Sequence, residues 1–225
     1  MTGAELDAAL AVRGHAVVPA LLSAGQCAAL AALFDEDVHF RSTIDMARYR
    51  FGRGTYRYFD YPLPPQIDAL RKRWYERLAP AANAWAAQLG TVGYAASHAD
   101  FLATCRAAGQ RRATPLLLRY GPGDYNCLHQ DLYGACVFPL QLVCLLSEPG
   151  RDFTGGELVL TEQRPRAQSV PYVVPLRQGD AAVIATQHFP RAGSRGFYRA
   201  NLRHGVAEIT AGRRVTLGIL FHDAA

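Results

Sequence analysis

The chain has 225 residues, a mass of 24.6 kDa and a net charge of +5. Half of its residues are hydrophobic and 19% are charged, which excludes a disordered protein. A chain of this size buries roughly 70% of its unfolded surface and needs no metal or disulfide staple to fold, and no apolar run reaches the roughly 18 residues a membrane span requires.

The N-terminal stretch MTGAELDAALAVRG carries acids and no basic region. It is unlike a signal peptide, and a cytoplasmic location is expected. The first third reads as helical. Ser23 precedes AGQCAALAALF, with Gln26 three residues on as a capping box. Residues 65–79 open on a proline and space Ile67, Leu70, Trp74 and Leu78 along one helical face. Pro80 is expected to interrupt, with a second stretch running to Leu89 before Gly90. Ser97 and Asp100 start a further helix, to about Ala108.

After Pro115 the texture changes. Short apolar or alternating runs occupy 115–120, 125–131, 136–146, 156–162, 170–177, 180–187, 197–206 and 213–222, with Gly, Pro and Asp between them. Eight such strands predict a sandwich, jelly roll or barrel. No linker or repeat divides the chain. One α+β, mainly β domain is expected over 1–225, with helical support in 1–112 and a β-core in 113–225.

The cysteines are Cys27, Cys105, Cys127, Cys136 and Cys144. Their odd number and the absence of C-x-x-C spacing fit neither a disulfide framework nor a zinc ribbon. Buried thiols are expected. All the basic residues but Lys72 are Arg.

Three features of the β-half stand together. His129 and Asp131 lie two apart, so on a strand they share a face while Gln130 points away. His204 follows 75 residues later. Two imidazoles and a carboxylate on one face of an octahedron suit a non-haem Fe(II) with open positions. His188 is the rival for the third place. Arg214, Thr216 and Gly218 share one face of the last strand, and Val215, Leu217, Ile219 and Phe221 the other. An Arg on such a narrow polar face can hold a carboxylate bidentately, and Gly218 leaves room beside it.

These residues resemble the signature of Fe(II)/2-oxoglutarate-dependent dioxygenases. The segments Arg119–Tyr125 (RYGPGDY), Phe153–Leu158 (FTGGEL), Gly179-Asp180 and His204-Gly205-Val206 occur in the order of the prolyl-hydroxylase-like branch. The whole chain, with its C-terminal LGILFHD, is further similar to a bacterial group described as acting oxidatively on alkylated nucleic-acid bases. The resemblance implies a double-stranded β-helix with a supporting N-terminal helical layer. It implies Fe(II) held by His129, Asp131 and His204, and 2-oxoglutarate held by Arg214 with Tyr120 and Thr216 beside it. O2 is the second co-substrate, and the reaction is C–H hydroxylation. On an N-methyl group the hydroxymethyl product releases formaldehyde, the chemistry of DNA repair by demethylation. A protein hydroxylase of the prolyl-4-hydroxylase kind and a non-catalytic metal-binding β-domain are the alternatives.

His222 reads as structural or near the mouth, and Glu157 and Asp180 as turn-shaping. Outside the β-half, residues 40–61 interleave Arg41, Arg48, Arg50, Arg53 and Arg57 with seven aromatics. That pattern suits phosphate contact and base stacking, which makes nucleic acid a candidate partner. Gly52 and Gly54 would let the segment act as a flexible lid. A second basic run, Arg191, Arg195, Arg199 and Arg203, could flank the same mouth.

Overall fold

Alternating residues on the later strands bury one face against helices and turn the other inward. The computed structural model describes residues 2–194 and 196–225; the expectation for Arg195 lies outside them. In chain order the elements are α1 (Gly3–Arg13), β1 (His15–Val18), α2 (Ala24–Ala32), β2 (Phe40–Asp45), α3 (Met46–Tyr49), β3 (Gly52–Arg53), β4 (Thr55–Phe59), α4 (Pro65–Leu89) and α5 (His98–Ala107). Then follow β5 (Leu116–Tyr120), β6 (Tyr125–His129), β7 (Leu140–Leu145), β8 (Phe153–Gly155), β9 (Leu158–Gln163), β10 (Val170–Val174), β11 (Ala181–Ala185), β12 (His188–Gly193), β13 (Gly196–Val206), β14 (Ile209–Gly212) and β15 (Arg214–Ile219).

A seven-stranded antiparallel sheet runs β1-β11-β7-β15-β5-β4-β2. A second sheet runs β10-β9-β13-β6-β3, with β12 also paired to β13. Together they form the jelly-roll core expected from the strand pattern. The large sheet's packing face is apolar: Leu117, Leu142, Leu217 and Ile219 are all fully buried in the main core. Helix α4 supplies the covering stripe through Ile67, Leu70, Trp74, Tyr75, Leu78 and Trp85. The Tyr75 ring lies 4.7 Å from Phe138, and Trp85 6.1 Å from Phe189.

The structure corrects three expectations. Helix α4 is continuous through Pro80. The missing N–H costs one internal bond, which the burial of eleven α4 side chains outweighs. The first third is not all helical. It contributes β1 to β4, because His15–Val18 and Thr55–Phe59 find open edges on β11 and β5. Segment 40–61 is therefore not a flexible lid. Half of it is β2 and β4; the stretch Met46–Gly54 leaves the large sheet, and within it β3 pairs with β6 of the second. The capping boxes hold: Ser23 and Gln26 cap each other, as do Thr2 and Glu5 on α1, a helix the sequence reading did not pick out.

A buried ion pair ties α4 to the C-terminus. Arg71 donates to Asp223 Oδ1 at 2.9 Å, to the Leu220 carbonyl at 2.8 Å and to the Tyr61 hydroxyl at 2.8 Å. Both partners of the pair are almost fully buried. Asp223→Ala would strand the guanidinium, and a loss of about 3–5 kcal/mol is expected in urea unfolding. A loss below about 1 kcal/mol would show that the pair anchors nothing.

Two histidines are buried uncharged nearby. Burial lowers His98 and His222 to about 4, with the Arg71 charge adding to it. The unfolded chain takes up these protons near pH 6.5 and the folded chain only near 4. Their contribution is complete above about 6.5 and is lost as pH falls toward 4, by a few kcal/mol in all. Unfolding measured from pH 7.5 to 4.5 should show this decline, and His98→Gln should make it shallower.

Candidate functional site

Strand β6 ends at His129, and the pairing with β13 sets His129 directly opposite His204. Gly205 makes the approach possible, since a Cβ there would stand 2.6 Å from the Asn126 carbonyl oxygen. The sequence pattern had placed Asp131 on this strand; it lies just beyond its end. Gln130 compensates by pointing away: its amide donates to the carbonyls of Gln187 and Leu202, each at 2.9 Å. That clamp turns Asp131 back toward the imidazoles. Its Oδ1 lies 3.5 Å from His129 Nε2, and its Oδ2 3.3 Å from His204 Nε2. The three donor atoms fall within 4.8 Å of one another. Among the described residues no other cluster of His, Cys, Asp and Glu has that geometry.

The surroundings set the protonation states. His129 Nδ1 lies 2.7 Å from the Cys127 carbonyl. A carbonyl only accepts, so Nδ1 holds the proton and Nε2 presents its lone pair to the cluster. Burial lowers the His129 pKa, and the neighbouring His204 lowers it further. Burial alone would raise the Asp131 carboxyl. The His204 hydrogen bond, both imidazoles and the Tyr133 hydroxyl outweigh it and hold the group well below the usual carboxylate range. Tyr133 donates to Asp131 Oδ1 at 2.7 Å.

Arg214 lies in β15, fully buried and opposite Tyr120 of β5. It makes no ion pair among the described residues. Its one side-chain bond goes to Thr216 Oγ1 at 3.3 Å, and its Nε has no partner. Burial lowers it to about 10, so it remains a cation at neutral pH. A cavity runs from Arg214 and Thr216 past Tyr120 and Asn126 to the imidazoles. Tyr120 is buried, with its hydroxyl 3.3 Å from the Asn126 amide. Gly218 faces this cavity too, but the space it leaves is filled by Leu116, whose Cδ2 would stand 2.7 Å from an added Cβ. Gly218 thus makes room for packing rather than for a ligand. Arg213 is exposed.

A second pocket of about 320 Å³ opens on the other side of the same cluster. Its walls are Tyr56 and Tyr58 of β4, Tyr133, Leu116 and Leu118 of β5, and its mouth is Arg50 and Phe51. The Tyr58 ring meets Tyr56 and Tyr133 edge-on, at 5.4 and 6.0 Å. Thus Tyr56 and Tyr58 face inward, where the sequence reading had placed them on an outer lid. Tyr133 was missed; its signal was the same two-residue step that links His129 to Asp131.

Several expected residues fall elsewhere. His188 sits in β12 opposite Asn201, outside the cluster. His222 is buried and accepts from the Phe138 N–H at 3.3 Å. Glu157 is exposed, and Asp180 caps its turn by accepting from the N–H groups of Ala20 and Arg177. Arg57 is committed to the fold: it donates to the Phe34 carbonyl at 2.6 Å and pairs with Asp37 at 2.5 Å. Arg41 is bound to the Ala113 carbonyl and lies over Tyr58. Of the five thiols, Cys127 is exposed and lines the mouth pocket, against the expectation of burial.

Residues 54–224 match the model of a family described as "Oxygenase, catalysing oxidative methylation of damaged DNA". An uncharacterised protein of Mycobacterium tuberculosis H37Rv is 48% identical over 168 residues, 74% of this chain and 72% of that one. Among solved structures, a prolyl-4-hydroxylase of Pseudomonas putida superposes with a TM-score of 0.61 over the whole of both chains, at 18% identity. A 2OG-Fe(II) oxygenase family oxidoreductase of Burkholderia pseudomallei gives 0.56 at 18% identity, covering 100% of this chain and 93% of that one. HygX of Streptomyces hygroscopicus, solved with nickel, 2-oxoglutarate and hygromycin B, gives 0.54 at 15% identity over 95% and 84% of the two chains. These likenesses carry the fold.

An unpaired buried cation is a cost to the fold, and here it is tolerated. Arg214→Met should therefore stabilise the protein by about 1–4 kcal/mol in urea unfolding. Destabilisation by the substitution would mean that the guanidinium is satisfied within the chain.

Proposed function

The chain belongs to the oxygenase family whose model it matches over residues 54–224, and from that premise we propose that it is an Fe(II)- and 2-oxoglutarate-dependent dioxygenase that oxidises alkyl groups on nucleobases. The observation that carries the reading is the meeting of two cavities at one cluster. One cavity holds a buried cation without a partner, and the other is walled by three tyrosines. An acidic co-substrate fits the first and a flat ring the second.

The donor set fits the metal. Two neutral imidazole nitrogens and one carboxylate oxygen suit a non-haem Fe(II) and leave positions open. His129, Asp131 and His204 would hold it. Tyr133 fixes Asp131 through one oxygen, and the Cys127 carbonyl fixes the His129 tautomer. The orphaned Arg214 Nε fits an anion: the guanidinium would grip the far carboxylate of 2-oxoglutarate, with the Thr216 and Tyr120 hydroxyls beside it. With O2, the bound iron and 2-oxoglutarate supply the oxidant for C–H hydroxylation. Tyr56, Tyr58 and Tyr133 would hold the base, keep water away and turn its alkyl group toward the cluster. A hydroxylated N-methyl carbon then leaves as formaldehyde, which would make the reaction one of DNA repair.

A protein hydroxylase remains the competing reading, supported by likeness of fold to prolyl-4-hydroxylase. The tyrosine walls favour a flat ring over a proline.

The test is formaldehyde release from single-stranded oligonucleotides carrying N-methylated bases, against unmethylated controls. Turnover is expected in the wild type and none in His129→Ala, Asp131→Ala or His204→Ala, each still folded. Arg214→Ala should weaken 2-oxoglutarate binding about tenfold to a few hundredfold, from the roughly 1.5–3 kcal/mol of a charge-assisted contact. Arg213→Ala should leave it intact. Peptide hydroxylation without any formaldehyde from oligonucleotides would transfer the assignment to a protein substrate.

A further inference from the structure

The stretch between β2 and β4 leaves the sheet, and its tip presents two aromatic rings to solvent. Tyr49 is 56% exposed and Phe51 49%. Their rings stack on each other at 5.6 Å with an interplanar angle of 18°. The tip is built, not loose. Met46 is fully buried beneath it, and Asp45 caps α3 by accepting from the Ala47 N–H at 3.1 Å. Arg50 adopts a left-handed conformation, φ 59°, which folds Phe51 back so that its N–H reaches the Met46 carbonyl at 3.1 Å. The Phe51 carbonyl accepts from the Cys127 N–H at 2.9 Å, tying the tip to the strand that carries His129.

Two large rings held flat against each other in water gain nothing for the fold that burial would not give better. Their surroundings indicate what covers them. Phe51 and Arg50 form the mouth of the tyrosine pocket. The aromatic surface is thus continuous from the pocket to the outer face of Tyr49. Arg50 and Arg53 form no ion pair among the described residues, and Arg48 meets only Asp45, at 3.8 Å and exposed. Planar rings beside unpaired guanidinium groups complement stacked bases and phosphates. Tyr49 and Phe51 lie just ahead of the stretch that the family model matches, which begins at residue 54.

We propose that the Tyr49–Phe51 pair is a stacking platform for the nucleobase adjacent to the one in the tyrosine pocket. This rests on the nucleobase reading of that pocket. The strand is gripped at two neighbouring nucleotides: the target enters the pocket unstacked, its neighbour lies on the outer face of the aromatic pair, and Arg50 faces the phosphate between them. The enzyme then reads a short single strand rather than a free base, and the platform repays the stacking that the target base loses.

Binding decides this without turnover. The probe is a fluorescent single-stranded pentanucleotide with one N-methylated base, made with either a purine or an abasic site next to the lesion. Each is titrated into the metal-loaded protein across a series of salt concentrations. Tyr49→Ala should weaken binding of the purine probe about tenfold, the scale of one base–aromatic stack. Its salt slope should not change, because no phosphate contact is lost. The abasic probe should bind wild type and Tyr49→Ala alike, and Tyr49→Phe should restore the purine preference. Arg50→Ala should instead flatten the salt slope for both probes. Equal losses on both probes, or none, overturn the platform. So does binding of a proline-rich peptide that is lost in Tyr49→Ala while the oligonucleotides are unaffected. Formaldehyde release with no dependence on the neighbouring base would leave the oxygenase reading standing and remove the platform. The converse, neighbour-dependent binding without any oxidation, would do the opposite.

Discussion

The arrangement depends on one carboxylate being held between two imidazoles and a phenol. Asp131 is 7% exposed, and burial by itself would raise its carboxyl. It is held well below the usual carboxylate range because His204, His129 and Tyr133 all reach it. Each arrives by a different route. His204 comes from β13, and His129 from the strand paired with it. Tyr133 comes from the irregular segment between β6 and β7. The β6–β13 register therefore carries the site: a slip of one residue would turn His204 away from the cluster. Strand β13 is braced on its other edge by β9 over six paired residues, which leaves it little freedom to slip.

The same sheet geometry separates the second charge from the first. Arg214 enters from the larger sheet, across the cavity from the Asp131 cluster. Had the two been adjacent they would have formed an ion pair, and neither would be open to a ligand. The fold instead keeps a desolvated cation on one sheet and a buried anion just past a strand of the other. Arg214 is held by β15, between β5 and β7, and the His204 that reaches Asp131 is held by β13, between β6 and β9. Backbone pairing thus maintains a separation that electrostatics would close. Arg71, by contrast, is matched: its buried guanidinium pairs with Asp223.

How much of this could be read from the sequence follows from the range of the interactions. Arg214 and Thr216 were legible because strand alternation is local and needs only a period of two; His129 and Asp131 were legible as a donor pair, although Asp131 comes to the cluster past the end of β6 and His204 through the β6–β13 pairing. The C-terminal strands were legible for the same reason. The continuity of α4 was not, since Pro80 is a local breaker and its toleration comes from burial of Tyr75, Leu78 and Trp85 against partners far along the chain. Strands β2 and β4 were hidden among arginines. Arg57 reads as a solvated charge until Phe34 and Asp37 are seen beside it. Interleaved Arg and Tyr therefore suggested a surface segment, whereas the structure turns Tyr56 and Tyr58 inward.

That misplacement exposes a division of labour in the chain. The donors of the candidate metal cluster and Arg214 all lie in 129–214, on strands locked into the two sheets or, for Asp131, two residues past the end of one. The walls and mouth of the neighbouring pocket draw on 50–58, which adds to the large sheet through β5 alone. Leu116 and Leu118 of β5 belong to both cavities, so that strand is the wall they share. A change in β4 or at the α3 tip alters what can lie over the cluster without touching the residues that form it. Substitutions at the edge of the sheet can thus retune which molecule is admitted while β6, β13 and β15 stay fixed. A change in β5 has no such freedom, because its two inward leucines line both cavities at once.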